Sequence, residues 1–258
     1  MIEGLPDQID LSSLTPTEKA ELIALLEETK RRRDRRKLWT MYPEEGPLQR
    51  GLYPKHLEFF RAGLIYRERC ALAANRIGKS LGMGGYETTL HLTGHYPDWW
   101  MGRRFDDPIE AWAAGKTNET TRDIIQNTLF GKVTREGAQK AFTGTGLVPG
   151  DDIMSVTWKQ GVQDLADTIQ VRHVSGGVST LGLKAYQQGR GAFEGTAKDV
   201  IWLDEEPPED IYGECLIRTA TTDGMVMLTF TPLEGMSSVV LSFLPGGKLP
   251  DPKSGELC

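Results

Sequence analysis

The sequence predicts an α/β fold: a mainly parallel central sheet flanked by helices, with a helical arm at the N-terminus. Three observations carry that prediction. Arg69-Cys70-Ala71-Leu72 leads through Ala73-Ala74-Asn75-Arg76-Ile77 into Gly78-Lys79-Ser80, and then into a small-residue stretch able to start a helix. Residues 109–115 and 117–130 repeat the order strand, loop, helix, which is the rhythm of parallel sheets. Asp199-Val200-Ile201-Trp202-Leu203 is an apolar run too short for a helix; Asp204-Glu205-Glu206 and Pro207-Pro208 stop it, as expected of a strand buried on both faces.

At 258 residues, 39% hydrophobic and 26% charged, the chain can bury one substantial core. No apolar run reaches the roughly 18 residues needed to span a bilayer, and the first residues lack the blocks of a signal peptide. These features predict a cytoplasmic protein with no membrane partner. Cys70, Cys215 and Cys258 are odd in number and widely spaced, which suggests neither a disulfide framework nor a zinc site. The net charge of −6 is uneven. Residues 30–37 hold seven basic side chains and one acidic, net +6, which leaves the remainder at −12. An acidic body excludes an overall basic nucleic-acid-binding domain, so any such contact is local or intermittent.

Along the chain, Thr15-Pro16-Thr17-Glu18 combines a Thr cap, proline at the first helical position and a capping-box glutamate. Leu22, Ile23, Leu25 and Leu26 supply an apolar stripe, and the basic run closes the helix where cations suit its dipole. That run reads either as a solvated helix end or as a patch for DNA phosphates or an acidic neighbouring subunit. Residues 39–52 form a turn-rich joint, and residues 53–60 have helical spacing. A glycine-bearing helix is predicted over 81–92. Residues 95–107 interleave Tyr96, Trp99, Trp100 and Phe105 with Arg103 and Arg104, a pattern that stacks on bases or anchors a loop to a core. Residues 131–164 carry little signal. Residues 167–174 and 178–186 alternate around Ser175-Gly176-Gly177 and predict a β-hairpin. Residues 225–230 form a further buried strand with Thr231 at its polar tip, and residues 244–255 read as linker.

The chemistry lies at the strand ends. A loop closing in Gly-Lys-Ser at a helix N-terminus is the layout of a phosphate-binding loop, with Lys79 on phosphate oxygens and Ser80 on Mg²⁺. Ala73 stands where the usual first glycine would be. Asp204 and Glu205 emerge where open α/β sheets bind ligands; one carboxylate can hold Mg²⁺ while the other orients and deprotonates a water. Thr231 can sense a terminal phosphate or simply cap its strand.

These blocks resemble the large terminase subunits of tailed bacteriophages, in particular the headful-packaging group of short-tailed phages. The resemblance rests on residues 72–80, on Gly115-Lys116-Thr117-Asn118-Glu119-Thr120, on Tyr186-Gln187-Gln188-Gly189-Arg190, on residues 202–208 and on residues 228–233, in that order. It implies an additional-strand P-loop ATPase that uses ATP and Mg²⁺ to translocate double-stranded DNA. The catalytic residues would be Glu205 with Arg190 or Arg76, the arginine reaching the γ-phosphate from a neighbour or within its own subunit. Asn75, Arg76, Ile77, Gly78, Lys79, Ser80, Tyr53 and Thr231 would bind nucleotide, and Ser80 and Asp204 metal. Tyr53 opens a Tyr-x-x-Gln segment that contacts adenine in relatives, but the glutamine position holds His56. The strand ending at Thr231 should lie between the phosphate-loop strand and the strand ending at Asp204. The implied partners are the portal protein, a small terminase subunit and other copies in a homo-oligomeric ring, in the cytoplasm of an infected bacterial host, with an isolated domain expected to be monomeric. The implied division is an arm and joint over 1–45, the ATPase domain over 46–244 and a linker over 245–258 towards a nuclease domain, so no DNA cleavage is expected from these residues. A helicase-like enzyme, a small-molecule kinase, or a portal-docking module with a vestigial nucleotide site are the competing readings.

Overall fold

The computed structural model describes residues 15–247 apart from 138 and 234. It contains a seven-stranded sheet in the order β1-β9-β8-β2-β7-β6-β5 and a separate two-stranded hairpin, β3-β4. The strands are β1 (Glu68–Leu72), β2 (Glu110–Gly115), β3 (Val133–Glu136), β4 (Gln139–Phe142), β5 (Ile153–Trp158), β6 (Ala166–Arg172), β7 (Val178–Ala185), β8 (Val200–Asp204) and β9 (Met225–Phe230). Strands β1, β9, β8, β2 and β7 run parallel, and β6 and β5 complete the sheet antiparallel. β9 therefore separates β1 from β8, the order that the resemblance implies. The expected hairpin is β6-β7.

Period-two alternation explains why β8 and β9 read as unbroken apolar runs. Val200, Trp202, Met225 and Met227 face one core, with Tyr86, Leu90, Ile125 and Leu129. Ile201, Leu203, Val226, Leu228 and Phe230 face the other, with Ile211, Cys215 and Val240. Helices cover both faces, so these strands are apolar at all positions but Asp204 and Thr229. The helices are α1 (Pro16–Arg35), α2 (Lys37–Thr40), α3 (Pro54–Ala62), α4 (Tyr86–Thr93), α5 (Asn118–Thr120), α6 (Asn127–Phe130), α7 (Glu209–Ala220) and α8 (Ser238–Ser242).

The cap of α1 forms as its residues predict. Glu18 accepts from the Thr15 backbone N–H at 2.8 Å and from its hydroxyl at 2.7 Å. The stripe on this helix behaves differently, because Ile23, Leu25 and Leu26 are exposed rather than packed on the core. The side chains of residues 31–34 lie outside the described ones, as does the linker from residue 248 onward. Leu38 and Tyr42, within the stretch read as arm and joint, belong to the main core.

The helix expected over 81–92 begins instead as wide π turns over Lys79–Gly85 and becomes α-helical at Tyr86. Glycines at 82, 84 and 85 allow this, since each stands where a Cβ would meet a neighbour. At Gly84 a Cβ would lie 2.1 Å from Trp202 Nε1. Gly84→Ala is therefore expected to lower stability by about 1–3 kcal/mol, the usual cost of overpacking, measured by denaturant unfolding. A buried ion pair fixes α4 to β1: Arg69 donates to both Glu87 carboxylate oxygens, at 2.8 and 3.1 Å. His91 Nε2 lies 3.3 Å from the same carboxylate.

The aromatic residues of 95–107 anchor the loop. Trp100 is buried and donates to the Arg103 carbonyl, and the Tyr96 hydroxyl accepts from the Phe105 N–H. Arg103 and Arg104 lie over the Phe105 and Tyr96 rings. Residues 131–164, which carry little sequence signal, contain β3, β4 and β5.

Candidate functional site

The loop after β1 and the C-terminal ends of β8 and β9 enclose a cleft of about 200 Å³. It is lined by Asn75, Arg76, Gly78, Lys79, Ser80, Leu81, Glu205 and Thr229. Gly78 has φ +88° and Arg76 φ +67°, so the chain turns sharply before the helix begins. A left-handed backbone is natural for glycine and strained for arginine. The first N–H groups of a helix have no partner within it, and here they follow a loop bordering the cleft.

Lys79 bends back across its own loop. Its Nζ donates to the carbonyls of Ala73 at 2.8 Å and Ala74 at 2.7 Å, and to Thr231 Oγ1 at 2.8 Å. Thr231 Oγ1 also lies 2.8 Å from Asn75 Oδ1, which joins the tip of β9 to the loop. Burial lowers the Lys79 pKa, and the nearby Glu205 and Asp204 carboxylates oppose that shift.

Asp204 is 3% exposed at the end of β8. The Ser80 hydroxyl donates to its carboxylate at 2.9 Å. Thr229 donates to Asp204 Oδ1 at 2.7 Å and accepts from Trp202 Nε1 at 2.7 Å. Burial pushes the Asp204 carboxyl up to about 6, and the Thr229 and Ser80 hydroxyls partly offset it. Glu205 is half-buried, with φ +70°. The neighbouring Glu206 turns away to Ser237, the N-cap of α8.

The structure thus brings together Asn75, Arg76, Gly78, Lys79, Ser80, Asp204, Glu205 and Thr231. Ile77 contributes its carbonyl to His56 Nε2, 3.1 Å away. His56 Nδ1 is 2.7 Å from the Tyr42 hydroxyl, which donates to the Gly82 carbonyl at 2.7 Å. Because a trans peptide points C=O and N–H in opposite directions, this brace turns the Gly78 N–H away from His56. Both His56 ring nitrogens are engaged within the protein. Tyr53 packs beside His56 and Tyr42, with ring centroids 5.3 and 5.7 Å apart, and does not line the cleft. Arg190 does not line it either: it pairs with the buried Glu214 on α7 through Nη2 at 2.9 Å and Nε at 3.1 Å. Arg76 is the arginine at the cleft.

A larger concavity of about 480 Å³, bordered by Trp39, Tyr42, Arg50, Tyr86, Tyr96 and Trp99, shares no lining residue with the cleft. Thr229, Trp202, Tyr42 and the engagement of His56 are site features that the sequence reading misses. The only signal for Thr229 is a hydroxyl in an otherwise apolar strand.

A family model described as terminase large subunit, T4likevirus-type, N-terminal, matches residues 70–248. The chain belongs to the large terminase subunit family. It is 38% identical over 253 residues to the terminase large subunit of Salmonella phage P22, covering 91% of this chain and 48% of that protein. It thus spans about half the length of that relative. Among solved structures, the large terminase of a thermophilic bacteriophage overlays with a TM-score of 0.40 at 12% identity, covering 77% of this chain and 38% of that one. Another crystal form of the same thermophilic phage protein, in complex with ADP, gives 0.39 at 12% identity, covering 76% and 38%. Among the described residues no helix is long and apolar enough to cross a membrane.

Proposed function

We propose that this chain is the ATPase motor part of a viral large terminase, which binds ATP with Mg²⁺ in the cleft and hydrolyses it to drive double-stranded DNA into a procapsid. One observation carries the reading: Lys79, Ser80, Asp204 and Glu205, two pairs separated by half the sequence, meet at a single opening bordered by a helix N-terminus.

The residues present fit both groups. Ser80 and Asp204 offer hard oxygen ligands side by side, and no cluster of three or more His, Cys, Asp or Glu able to hold a metal occurs among the described residues. Such a donor set suits a cation held mainly by phosphate and water, which is how Mg²⁺ usually binds. When bound, Mg²⁺ neutralises charge on the phosphates. Lys79 exchanges its loop carbonyls for phosphate oxygens, while the loop N–H groups face the same anion. Glu205 orients a water and accepts its proton. Thr231, bonded to both Lys79 and Asn75, is positioned to feel whether a terminal phosphate is present. Arg76 then contacts the phosphates within its own subunit, and Arg190 serves a neighbour only after leaving Glu214.

In this reading the partners are double-stranded DNA, the portal protein, a small terminase subunit and further copies in a ring, in the cytoplasm of the infected bacterial host. Calorimetry with ATP and Mg²⁺ on this chain and on Lys79→Ala tests it. Loss of a charge-assisted contact to phosphate is expected to weaken binding about 10- to 100-fold. Equal affinity in the two proteins would overturn the assignment of the cleft.

A further inference from the structure

Glu205 occupies a backbone conformation that side chains disfavour, with φ +70° immediately after β8. The chain has little freedom to place this turn elsewhere. Asp204 is still paired in the sheet, and the prolines at 207 and 208 hold the residues before them extended. A strained residue persists only where its surroundings over-determine it. Two contacts do so here. The Glu205 N–H donates to the Thr229 carbonyl at 3.1 Å, and the Glu205 carbonyl accepts from the Tyr186 hydroxyl at 3.0 Å.

Tyr186 follows β7 directly and opens a 3₁₀ turn. Its hydroxyl lies 3.0 Å from the Asp204 carbonyl as well, and 3.4 Å from the Ala114 carbonyl at the end of β2. One O–H is thus shared among backbone oxygens at the ends of two neighbouring strands. The ring is buried with Phe193, Leu203 and Phe230. Burial raises the phenol pKa well above its ordinary value, so the hydroxyl stays a donor.

We propose that Tyr186 is a positioning residue for Glu205: its hydroxyl clamps the Asp204 and Glu205 carbonyls and so fixes the left-handed turn that presents the Glu205 carboxylate to the cleft. The inference rests on the reading of Glu205 as the residue that activates water. The Tyr186 hydroxyl reaches Asp204 and Glu205 through their backbone carbonyls, so its effect on the Glu205 carboxylate passes through the backbone.

Tyr186→Phe removes the hydroxyl and keeps the ring. ATP turnover is expected to fall about 10- to 100-fold, the scale of a misplaced catalytic group, with ATP affinity within about twofold of the parent. In a Glu205→Gln background the same change should cost less than about twofold more, because the carboxylate it positions is gone. Thermal melts of all four proteins show whether each remains folded at the assay temperature. Unchanged turnover in Tyr186→Phe overturns the inference, as does an equal loss in both backgrounds, or a loss of turnover that only follows the folded fraction. Full turnover in Glu205→Gln would sink the underlying reading instead. An impaired Glu205→Gln beside an unimpaired Tyr186→Phe would sink this inference alone.

Discussion

Glu205→Gln is expected to lower ATP turnover by about 10²- to 10⁴-fold, the range for losing a general base, while nucleotide binding survives. The amide keeps the volume of the carboxylate and its place at the cleft but cannot accept a proton from water. Lys79, Ser80 and the loop backbone are untouched, so the groups proposed to hold phosphate keep their geometry. Glu206 is the natural control. It stands one position on, but its carboxylate is bonded to the Ser237 hydroxyl at the N-cap of α8. Glu206→Gln should therefore leave turnover within a fewfold of the parent. Phosphate release measured beside a nucleotide titration distinguishes the two positions. Full turnover in Glu205→Gln with a loss in Glu206→Gln would exchange their roles, and full turnover in both would remove the acidic pair from the chemistry.

The reason these carboxylates are legible in the sequence, and their setting is not, lies in how far each feature depends on the assembled sheet. β8 and β9 are apolar at nearly every position because helices cover both faces, so a short unbroken run bounded by prolines is enough to identify such a strand. Lys79, Ser80, Asp204 and Glu205 stand out because their residue types suit phosphate and metal chemistry. β5, by contrast, is an antiparallel edge strand with half its residues exposed, and its register with β6 is irregular; it offers neither a continuous apolar run nor clean alternation. The stripe of α1 predicts a packed face, yet amphipathic spacing alone cannot specify a partner, and Ile23, Leu25 and Leu26 are exposed. Tyr186, His56 and Tyr42 act on the backbone carbonyls of Asp204, Ile77 and Gly82, which lie 18, 21 and 40 positions away. Those pairings follow from how the elements assemble and leave no spacing to detect. Arg190 has the residue type of a phosphate-reaching arginine, but it is paired with Glu214 on α7 and is not among the residues that line the cleft.

Asp204→Asn is expected to stabilise the metal-free protein and abolish its activity together. The carboxyl, normally near 3.8, is pushed up to about 6, chiefly by burial. The folded state therefore binds this proton more tightly than the unfolded state does. Between those two values the folded protein is protonated at Asp204 and the unfolded chain is not, so stability falls as pH rises through the window and the full penalty is present above it. A rise of that size corresponds to about 3 kcal/mol, offset in part by whatever water and counter-ions reach the cleft. Asparagine carries no charge to bury and can still accept from the Ser80 and Thr229 hydroxyls. With a chelator present, denaturant melts from about pH 4 to about pH 8 should show the variant gaining up to about 3 kcal/mol at the alkaline end and losing the slope of the parent between about pH 4 and pH 6. ATP turnover should nonetheless fall by at least about 10²-fold, since a neutral amide is a poor ligand for a hard cation. Adding Mg²⁺ and nucleotide should then stabilise the parent and leave the variant unmoved, because a ligand stabilises only the state that binds it. A variant that is less stable than the parent at the alkaline end without metal would show that the Asp204 charge is already compensated within the protein, and that its burial carries no net penalty.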